Sequence, residues 1–175
     1  MAQSPDTPPG QTLGKGMLVI AWLIVMALLT WYFAGVEEDR YNPNRQVVSS
    51  ISDTGVEVIL ERNRWGHYVA DGEINGVPVT FMVDTGATMV AIPLHLGDAL
   101  GLKAGVGIPV NTANGQTTAY ATRIPELRLG ELVFRDVRGG LTRGMEGDQI
   151  LLGMSVLKNV SLLQEGNQLV IRQAR

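Results

Sequence analysis

Residues 81–88 read Phe-Met-Val-Asp-Thr-Gly-Ala-Thr, an apolar run that ends in an acid and a turn. Residues 81–83 predict the end of a buried strand, because a short apolar segment bounded by turn residues suits a strand packed on both faces. Asp84 then lies at a strand end, and Gly86 gives the backbone room to turn and a ligand or second chain room to approach. Thr85 offers a hydroxyl that can hydrogen-bond to backbone. Asp84 is therefore the candidate functional acid.

The same three letters, Asp-Thr-Gly, also occur at residues 53–55, so the tripeptide alone identifies no site. Residues 53–55 follow a polar, serine-rich segment and precede the alternating run at 56–60, which predicts a plain turn that opens a strand. Asp84 instead closes an apolar strand and is followed by small residues and a second apolar run. The context therefore favours a structural role for Asp53 and a functional role for Asp84.

An uncharged stretch at residues 17–34 predicts a transmembrane helix. Its eighteen residues are just long enough to cross a bilayer, and Trp31 and Tyr32 suit the interfacial belt. A cleaved signal peptide is the alternative, but Tyr32 and Phe33 precede Ala34 where small residues are needed for cleavage. We expect the segment to remain as an anchor.

The anchor divides a chain of 175 residues into four parts. Residues 1–16, rich in Pro and Gly, predict a disordered leader, and residues 35–55, which lack periodicity, predict a tether. Residues 56–175 then form one folded domain. Lys15 on one flank, and Arg40 and Arg45 on the other, differ by one charge and leave the orientation open.

Composition excludes several kinds of site. The chain has no cysteine, which rules out disulfides and thiolate metal ligands. The net charge is −3 and the sequence has no run of basic residues, so it gives no indication of a nucleic-acid-binding surface. His67 and His95 are far apart in sequence and are interpreted as surface or packing residues. We expect no metal and no cofactor.

The remaining pattern predicts an all-β domain built from hairpins. Asn75-Gly76 joins two strand-like runs and is a strong short hairpin signal, and Asn114-Gly115 predicts a second, more polar hairpin. A third turns at Gly130, residues 139–149 predict a glycine-rich loop, and a last hairpin ends the chain. Short helices are expected at residues 93–100 and 155–159. Together these elements predict a small closed barrel with one or two short helices.

An apolar triplet, Ile150-Leu151-Leu152, leads into Gly153 and is interpreted from its residues alone as a buried strand with a C-terminal glycine. Ser155 follows but lacks the second glycine of a nucleophile elbow, so a serine hydrolase is disfavoured. We predict that Ser155 caps the N-terminus of a short helix.

The order of these features resembles the retroviral-type, or retropepsin-like, aspartic proteases. The resemblance rests on the strand into Asp84-Thr85-Gly86-Ala87-Thr88, the glycine-tipped hairpin, and the apolar triplet with Gly153, and it spans residues 67–171. More narrowly, the chain is similar to single-domain, membrane-anchored bacterial members. The resemblance implies a half-size acid-protease barrel, an inner-membrane location and a periplasmic domain.

The resemblance also implies a homodimeric endopeptidase, because each chain supplies one catalytic aspartate. Asp84 of each subunit would face its mate across a two-fold axis, with one carboxyl protonated and a water activated between them. Thr85 would hydrogen-bond across the interface, and Gly86 would let the carboxylates approach. Residues 111–122 match the flap that closes over an extended polypeptide substrate. The implied peptide-binding residues are Ala87, Thr88, Asn111, Ala113, Asn114, Gly115, Ile150, Leu152 and Gly153.

A second interpretation belongs to a different functional class. The same barrel could be a membrane-anchored module that captures extended peptides by strand addition without hydrolysing them. Asp84→Asn distinguishes the two, since only an enzyme loses its activity with that carboxylate.

Overall fold

The computed structural model describes residues 9–53, 55–112 and 115–174. The chain divides into two compact units, Met1–Asp39 and Arg40–Arg175. The elements in chain order are α1 (Pro9–Tyr41), β1 (Val48–Ser52), β2 (Gly55–Glu61), β3 (Val69–Ile74), β4 (Val77–Val83), β5 (Val90–Pro93), β6 (Gly107–Thr112), β7 (Gly115–Leu129), β8 (Leu132–Thr142), β9 (Ile150–Leu152), α2 (Met154–Leu157), β10 (Ser161–Glu165) and β11 (Gln168–Ala174).

The first element, α1, is the N-terminal apolar helix that the sequence predicts. Its Lys15–Tyr41 portion, 27 residues, is long and apolar enough to cross a membrane by length and composition. The helix extends beyond the predicted 17–34 at both ends. Residues 9–16 are helical rather than disordered, because Pro9 fits the first turn of a helix. At the other end the charged residues 37–40 continue it, since Glu and Arg are good helix formers.

Six strands close into a barrel, which confirms the predicted fold class. They follow the order β3-β4-β9-β5-β8-β7, and β3 pairs with β7 through Glu73–Arg128 and Ile74–Leu127, so the sheet returns on itself. The strand β6 pairs with β7 outside this ring. Burying each large apolar side chain stabilises the fold by about 1.5–3 kcal/mol. The fully buried side chains of the barrel strands include Ile74, Phe81, Ile92, Ile124, Leu127, Ile150 and Leu152.

The hairpin that carries β4 toward the site forms where the sequence predicts it. Asn75 and Gly76 have φ angles of 53° and 78°, the two left-handed residues that a type I′ turn requires. Pro78 pairs with β3 on one side, while β9 on the other side reaches only residues 81–83. Proline therefore sits where β4 needs no N–H donor on its free edge.

A second sheet, β1-β2-β11-β10, includes a strand that falls inside the predicted 35–55 tether. The same segment contains Asn44, whose buried side chain donates to Val69 O at 2.6 Å and to Glu61 O at 2.9 Å, and accepts from Glu61 N–H at 2.6 Å. Satisfied buried amides of this kind hold backbone in place. The folded part therefore begins before Val56, because pairing with distant strands overrides the linker-like composition.

The predicted loop at residues 139–149 is shorter than expected, since β8 continues to Thr142. Gly139 pairs with Val90 of the parallel strand β5. A Cβ at Gly139 would lie 3.1 Å from Ile124 Cδ1 and 3.3 Å from Val90 O. The glycine thus allows close strand packing here, and the irregular segment is confined to residues 143–149.

One of the two expected short helices is regular. The segment predicted at residues 155–159 begins one residue earlier and forms α2. Residues 93–100 contain only a 3₁₀ turn at Leu94–Leu96, followed by further turns. Gly97 and Gly101 flank this region and lower the helix propensity of so short a segment.

Candidate active site

Asp84 lies directly after β4, at the end of the parallel pair that β4 forms with β9. The register places Val83 beside Leu152, and the Asp84 N–H donates to Leu152 O at 3.2 Å. Phe81 is fully buried, whereas Asp84 is only partly buried. The acid is therefore held at the rim of the barrel by two segments that are far apart in the chain.

The turn after Asp84 positions its carboxylate with backbone alone. The Gly86 N–H donates to Asp84 Oδ1 at 2.8 Å, and the Ala87 N–H donates to Asp84 O at 3.3 Å. A Cβ at Gly86 would lie 3.1 Å from Asp84 Oδ1, so glycine leaves that side of the carboxylate open. Thr85 is exposed, and within the described residues no side chain hydrogen-bonds to the Asp84 carboxylate. We call residues 84–89 the Asp84 loop.

Gly153 packs directly against the backbone of the Asp84 loop. A Cβ there would lie 2.3 Å from Met89 O and 2.6 Å from Ala87 O, distances that real side chains do not reach. The next residue, Met154, donates its N–H to Ala87 O at 2.8 Å. Only glycine at position 153 therefore lets the start of α2 pack against the backbone of the loop and support it.

Ser155 connects α2 to two strands, a role that its sequence context did not reveal. Gly153, not Ser155, is the N-cap of α2, so the predicted capping role is wrong. The Ser155 hydroxyl instead accepts a hydrogen bond from Val90 N–H at 3.1 Å and donates one to Arg138 O at 2.8 Å. It ties β5 and β8 to the helix, a bridge that only the tertiary arrangement creates.

The tip of the β6–β7 hairpin carries four of the predicted peptide-binding residues. Asn111 and Gly115 are exposed, whereas Ala113 and Asn114 lie outside the described residues. Thr112 pairs with Gly115 and donates its hydroxyl to Gly115 O at 2.9 Å. The two strands of the predicted polar hairpin are therefore present.

The base of the same hairpin adjoins the Asp84 loop. Ile108 of β6 and Ala121 of β7 line a cavity of about 440 Å³ together with Thr88 and Met89 of the loop. The Asp84 loop and the hairpin therefore share one cavity.

Two predicted peptide-binding residues do not face this region. Ile150 and Leu152 are 0% and 1% exposed and belong to the barrel interior. Their strand pairs with β4 immediately before Asp84, so they support the site from within the core. The sequence pattern could not separate the two roles, because an apolar residue suits either a core or an apolar subsite.

Comparison with known proteins agrees with this geometry. The family described as "gag-polyprotein putative aspartyl protease" matches residues 70–159, a range that includes the Asp84 loop, the β6–β7 hairpin and Gly153. The chain belongs to this family. Its domain is therefore a retropepsin-like one, as the resemblance in the sequence implied.

Two uncharacterized bacterial proteins are similar to most of this chain. An "uncharacterized protein in cobV 5'region" of Sinorhizobium is 29% identical over 164 residues, which cover 86% of this chain and 70% of the relative. An uncharacterized protein of Rickettsia prowazekii is 28% identical over 146 residues, covering 78% of this chain and 62% of the relative.

A solved structure shares the fold. The crystal structure of a retropepsin-like aspartic protease from Rickettsia conorii superposes with a TM-score of 0.54 at 27% identity, covering 74% of this chain and 96% of that one. The retropepsin-like architecture thus extends over nearly the whole of that protein.

The other Asp-Thr-Gly, at residues 53–55, joins two strands of the second sheet and is not part of the Asp84 loop. Asp53 is in the turn between β1 and β2, where Ser52 pairs with Gly55, as the sequence predicts.

His95 pairs with Asp148 at 2.8 Å on the exposed surface. Within the described residues no group of three or more His, Cys, Asp and Glu side chains could hold a metal ion.

Proposed function

We propose that this chain is a membrane-anchored aspartic endopeptidase that acts as a homodimer. The observation that carries the proposal is the position of Asp84, a partly buried carboxylate at the end of β4, in a glycine turn of an aspartyl protease family domain. An extended polypeptide would lie between the two Asp84 loops and beneath the β6–β7 hairpins, which exclude water when they close. The chemistry requires no metal or cofactor.

The proposed reaction uses the two Asp84 carboxyl groups as one acid and one base. Two carboxyls a few ångströms apart share a proton, because both cannot ionise together. The ionised group takes a proton from water, whose oxygen attacks the peptide carbonyl carbon, while the protonated group donates to the carbonyl oxygen. Proton transfer to the amide nitrogen then breaks the C–N bond, releases an acid and an amine, and restores the shared proton.

The neighbours of Asp84 suit a shared site. Thr85 is exposed beside the carboxylate and is proposed to hydrogen-bond to the backbone of the partner loop. Gly86 keeps the Asp84 Oδ1 side free of a side chain, so two loops can approach across a two-fold axis.

The edge strand β10 supports a second copy as the partner. It pairs with β11 on one side only, and all five of its side chains are exposed, including Leu162 at 37% and Leu163 at 44%. An exposed strand edge presents unpaired backbone N–H and C=O groups that can pair with another chain. In the chain β10 follows α2, whose first residue hydrogen-bonds to the Asp84 loop, so we propose that two copies pair through β10 and share the site.

We expect Leu163→Lys to weaken the dimer and with it the activity. Each dimer would lose two buried leucines, and burial of one contributes about 1.5–3 kcal/mol, so dimer dissociation should become at least about tenfold easier. The full-length variant is diluted in detergent and its activity per subunit is measured. This activity should begin to fall at a higher protein concentration than it does for the unmodified protein. Sedimentation analysis would follow the same transition.

Ile51→Lys is the matched control, because Ile51 is 60% exposed on β1 at the opposite edge of the same sheet. It should leave the concentration dependence unchanged. Full activity from a strictly monomeric domain would contradict the shared-site proposal.

We also propose that the apolar helix anchors the domain on the periplasmic side of a bacterial inner membrane. The helix is long enough to span, and the two relatives named above are bacterial. The side is taken from the similarity to membrane-anchored bacterial proteases, since the flanking Lys and Arg counts differ by only one.

An added protease should therefore degrade the domain once the outer membrane is permeabilised, while a cytoplasmic marker stays intact. The reason is that a periplasmic domain is exposed as soon as that barrier is opened. Immunoblotting of intact cells, permeabilised cells and lysed cells measures it. Degradation that requires lysis of the inner membrane would place the domain in the cytoplasm.

A further inference from the structure

The cavity beside the Asp84 loop combines an apolar floor with a cationic rim. Its apolar lining comes from Met89, Ile108 and Ala121, of which Met89 and Ile108 are partly buried. Thr122 and Gly139 complete the inner wall, and both are buried. The three charged residues that line the cavity are Lys103, Arg123 and Arg138.

These cations are not balanced by acids inside the cavity, whose lining includes no carboxylate. Arg123 pairs with Asp136 at 2.5 Å on the exposed surface. Lys103 and Arg138 form no ion pair with any side chain of the described residues. Two exposed cations are therefore available to a ligand that enters.

The positive character is local, since the whole chain carries a net charge of −3. An adjoining cavity of about 560 Å³ shares Arg123 and Arg138 and adds Arg135 and Lys158. Arg123 pairs with the lining carboxylate Asp136, and Arg135 pairs with Glu126 at 2.8 Å, so Arg138 and Lys158 are the cations that add to the positive field. Cations of the same sign on neighbouring surfaces raise the local concentration of anionic groups. The field therefore favours an acidic peptide segment on this side of the Asp84 loop.

We propose that the cavity is a subsite that selects an acidic side chain, glutamate in particular, in the extended peptide substrate. The methylenes of a glutamate side chain would contact the apolar floor, and its carboxylate would pair with Lys103 and Arg138. This inference rests on the proposed function, since it names the substrate class of the same site. A peptide is the favoured ligand because the cavity is bounded by the Asp84 loop on one side and the β6–β7 hairpin on the other.

The test measures binding without hydrolysis. The full chain carrying Asp84→Asn is titrated in detergent with fluorescent extended peptides that are neutral except for one residue, placed in turn at each position as Glu, Gln or Lys. At one position Glu should bind about tenfold more tightly than Gln, the magnitude expected for two partly exposed cations, and Lys more weakly than either. The Glu preference should shrink as salt is added, because the cations are exposed.

The double variant Lys103→Gln and Arg138→Gln should bring the ratio of Glu to Gln affinity close to one. Both side chains are exposed, so the barrel should stay folded. Arg172→Gln is a control for loss of an exposed cation away from the cavity. Arg172 lies on β11 in the other sheet, where it pairs with Glu57, and its replacement should leave the ratio unchanged.

A Glu preference that is absent at every position, or that survives in the double variant, would overturn the subsite. Failure of the unmodified protein to hydrolyse any peptide would overturn the proposed enzyme and leave this binding result standing. The two proposals can therefore fail independently.

Discussion

Asp84→Asn should abolish hydrolysis of an unstructured polypeptide while the domain stays folded. The amide keeps the size of the side chain but can neither accept the proton of water nor share a proton with a second carboxyl group. General acid–base catalysis contributes typically 10²–10⁴-fold, and the variant removes both the acid and the base of the dimer, so a loss of at least about 10³-fold is expected. Cleavage is measured with a quenched fluorescent peptide, and folding by circular dichroism.

Asp53→Asn is a matched control that the chain itself supplies. It makes the same change in the same tripeptide, but in the turn between β1 and β2. Its activity should equal that of the unmodified protein. Loss of activity with Asp53→Asn but not with Asp84→Asn would show that Asp53, and not Asp84, is the catalytic residue.

The same pair of variants separates the enzyme from a binding module. If the unmodified protein binds extended peptides but cleaves none, and Asp84→Asn binds them equally well, the barrel captures peptides without hydrolysis. An enzyme should instead show binding by Asp84→Asn together with cleavage by the unmodified chain.

The second large effect is expected for Gly153→Ala, which places a methyl group between the Asp84 loop and α2. The new Cβ would lie 2.3 Å and 2.6 Å from the backbone oxygens of Met89 and Ala87, and backbone can yield only by moving the loop. Overpacking of this kind costs typically about 1–3 kcal/mol in stability, and we expect the upper part of that range. Denaturant unfolding of the full chain in detergent measures the loss.

Activity should suffer more than stability from the same change. The loop that must shift begins at Asp84, and misplacement of a catalytic group by about 1 Å can reduce the rate about 10²-fold. The folded fraction of Gly153→Ala at low temperature should therefore cleave peptide at least about 10²-fold more slowly than the unmodified protein.

Gly107→Ala is the control for adding a methyl group to a strand glycine. A Cβ at Gly107 would meet Thr118 Cγ2 at 3.3 Å and Tyr120 Cε1 at 3.7 Å, both side-chain atoms. Its stability should change by less than about 1 kcal/mol, because flexible side chains can yield at surface sites. Equal stability losses for Gly153→Ala and Gly107→Ala would show that Gly153 does not support the loop as described.

Much of the barrel could be predicted, because its strongest signals are local. Asn75-Gly76 specifies a type I′ hairpin through the backbone freedom of two adjacent residues. The apolar run before Asp84 predicts a buried strand that ends at an acid. The structure has that strand as β4, in which Phe81 is buried and the other side chains are partly buried or exposed. The uncharged segment at residues 17–34 likewise predicts a helix from composition alone.

Other features depend on partners that are distant in the chain. The strand β1 lies in a serine-rich segment whose composition does not predict a strand. It forms because its backbone pairs with β2. Gly139 looked like part of a loop but lies in β8, where the close packing of Val90 and Ile124 requires a glycine. The hydroxyl of Ser155 found its partners only when β5, β8 and α2 came together.

The sequence by itself determined the acid, the turn that holds it and the strand that delivers it, since these depend on the conformational preferences of consecutive residues in the segment 81–88. Only the tertiary structure decided which groups lie around the loop that carries that acid. The pairing of β4 with β9 brings Gly153 behind the Asp84 loop, and the β6–β7 and β8 strands bring Arg123 and Arg138 beside it. These neighbours are set by long-range strand pairing. The stabilising energy of that pairing comes from burial of the whole barrel core, so it cannot be predicted from any single stretch of residues.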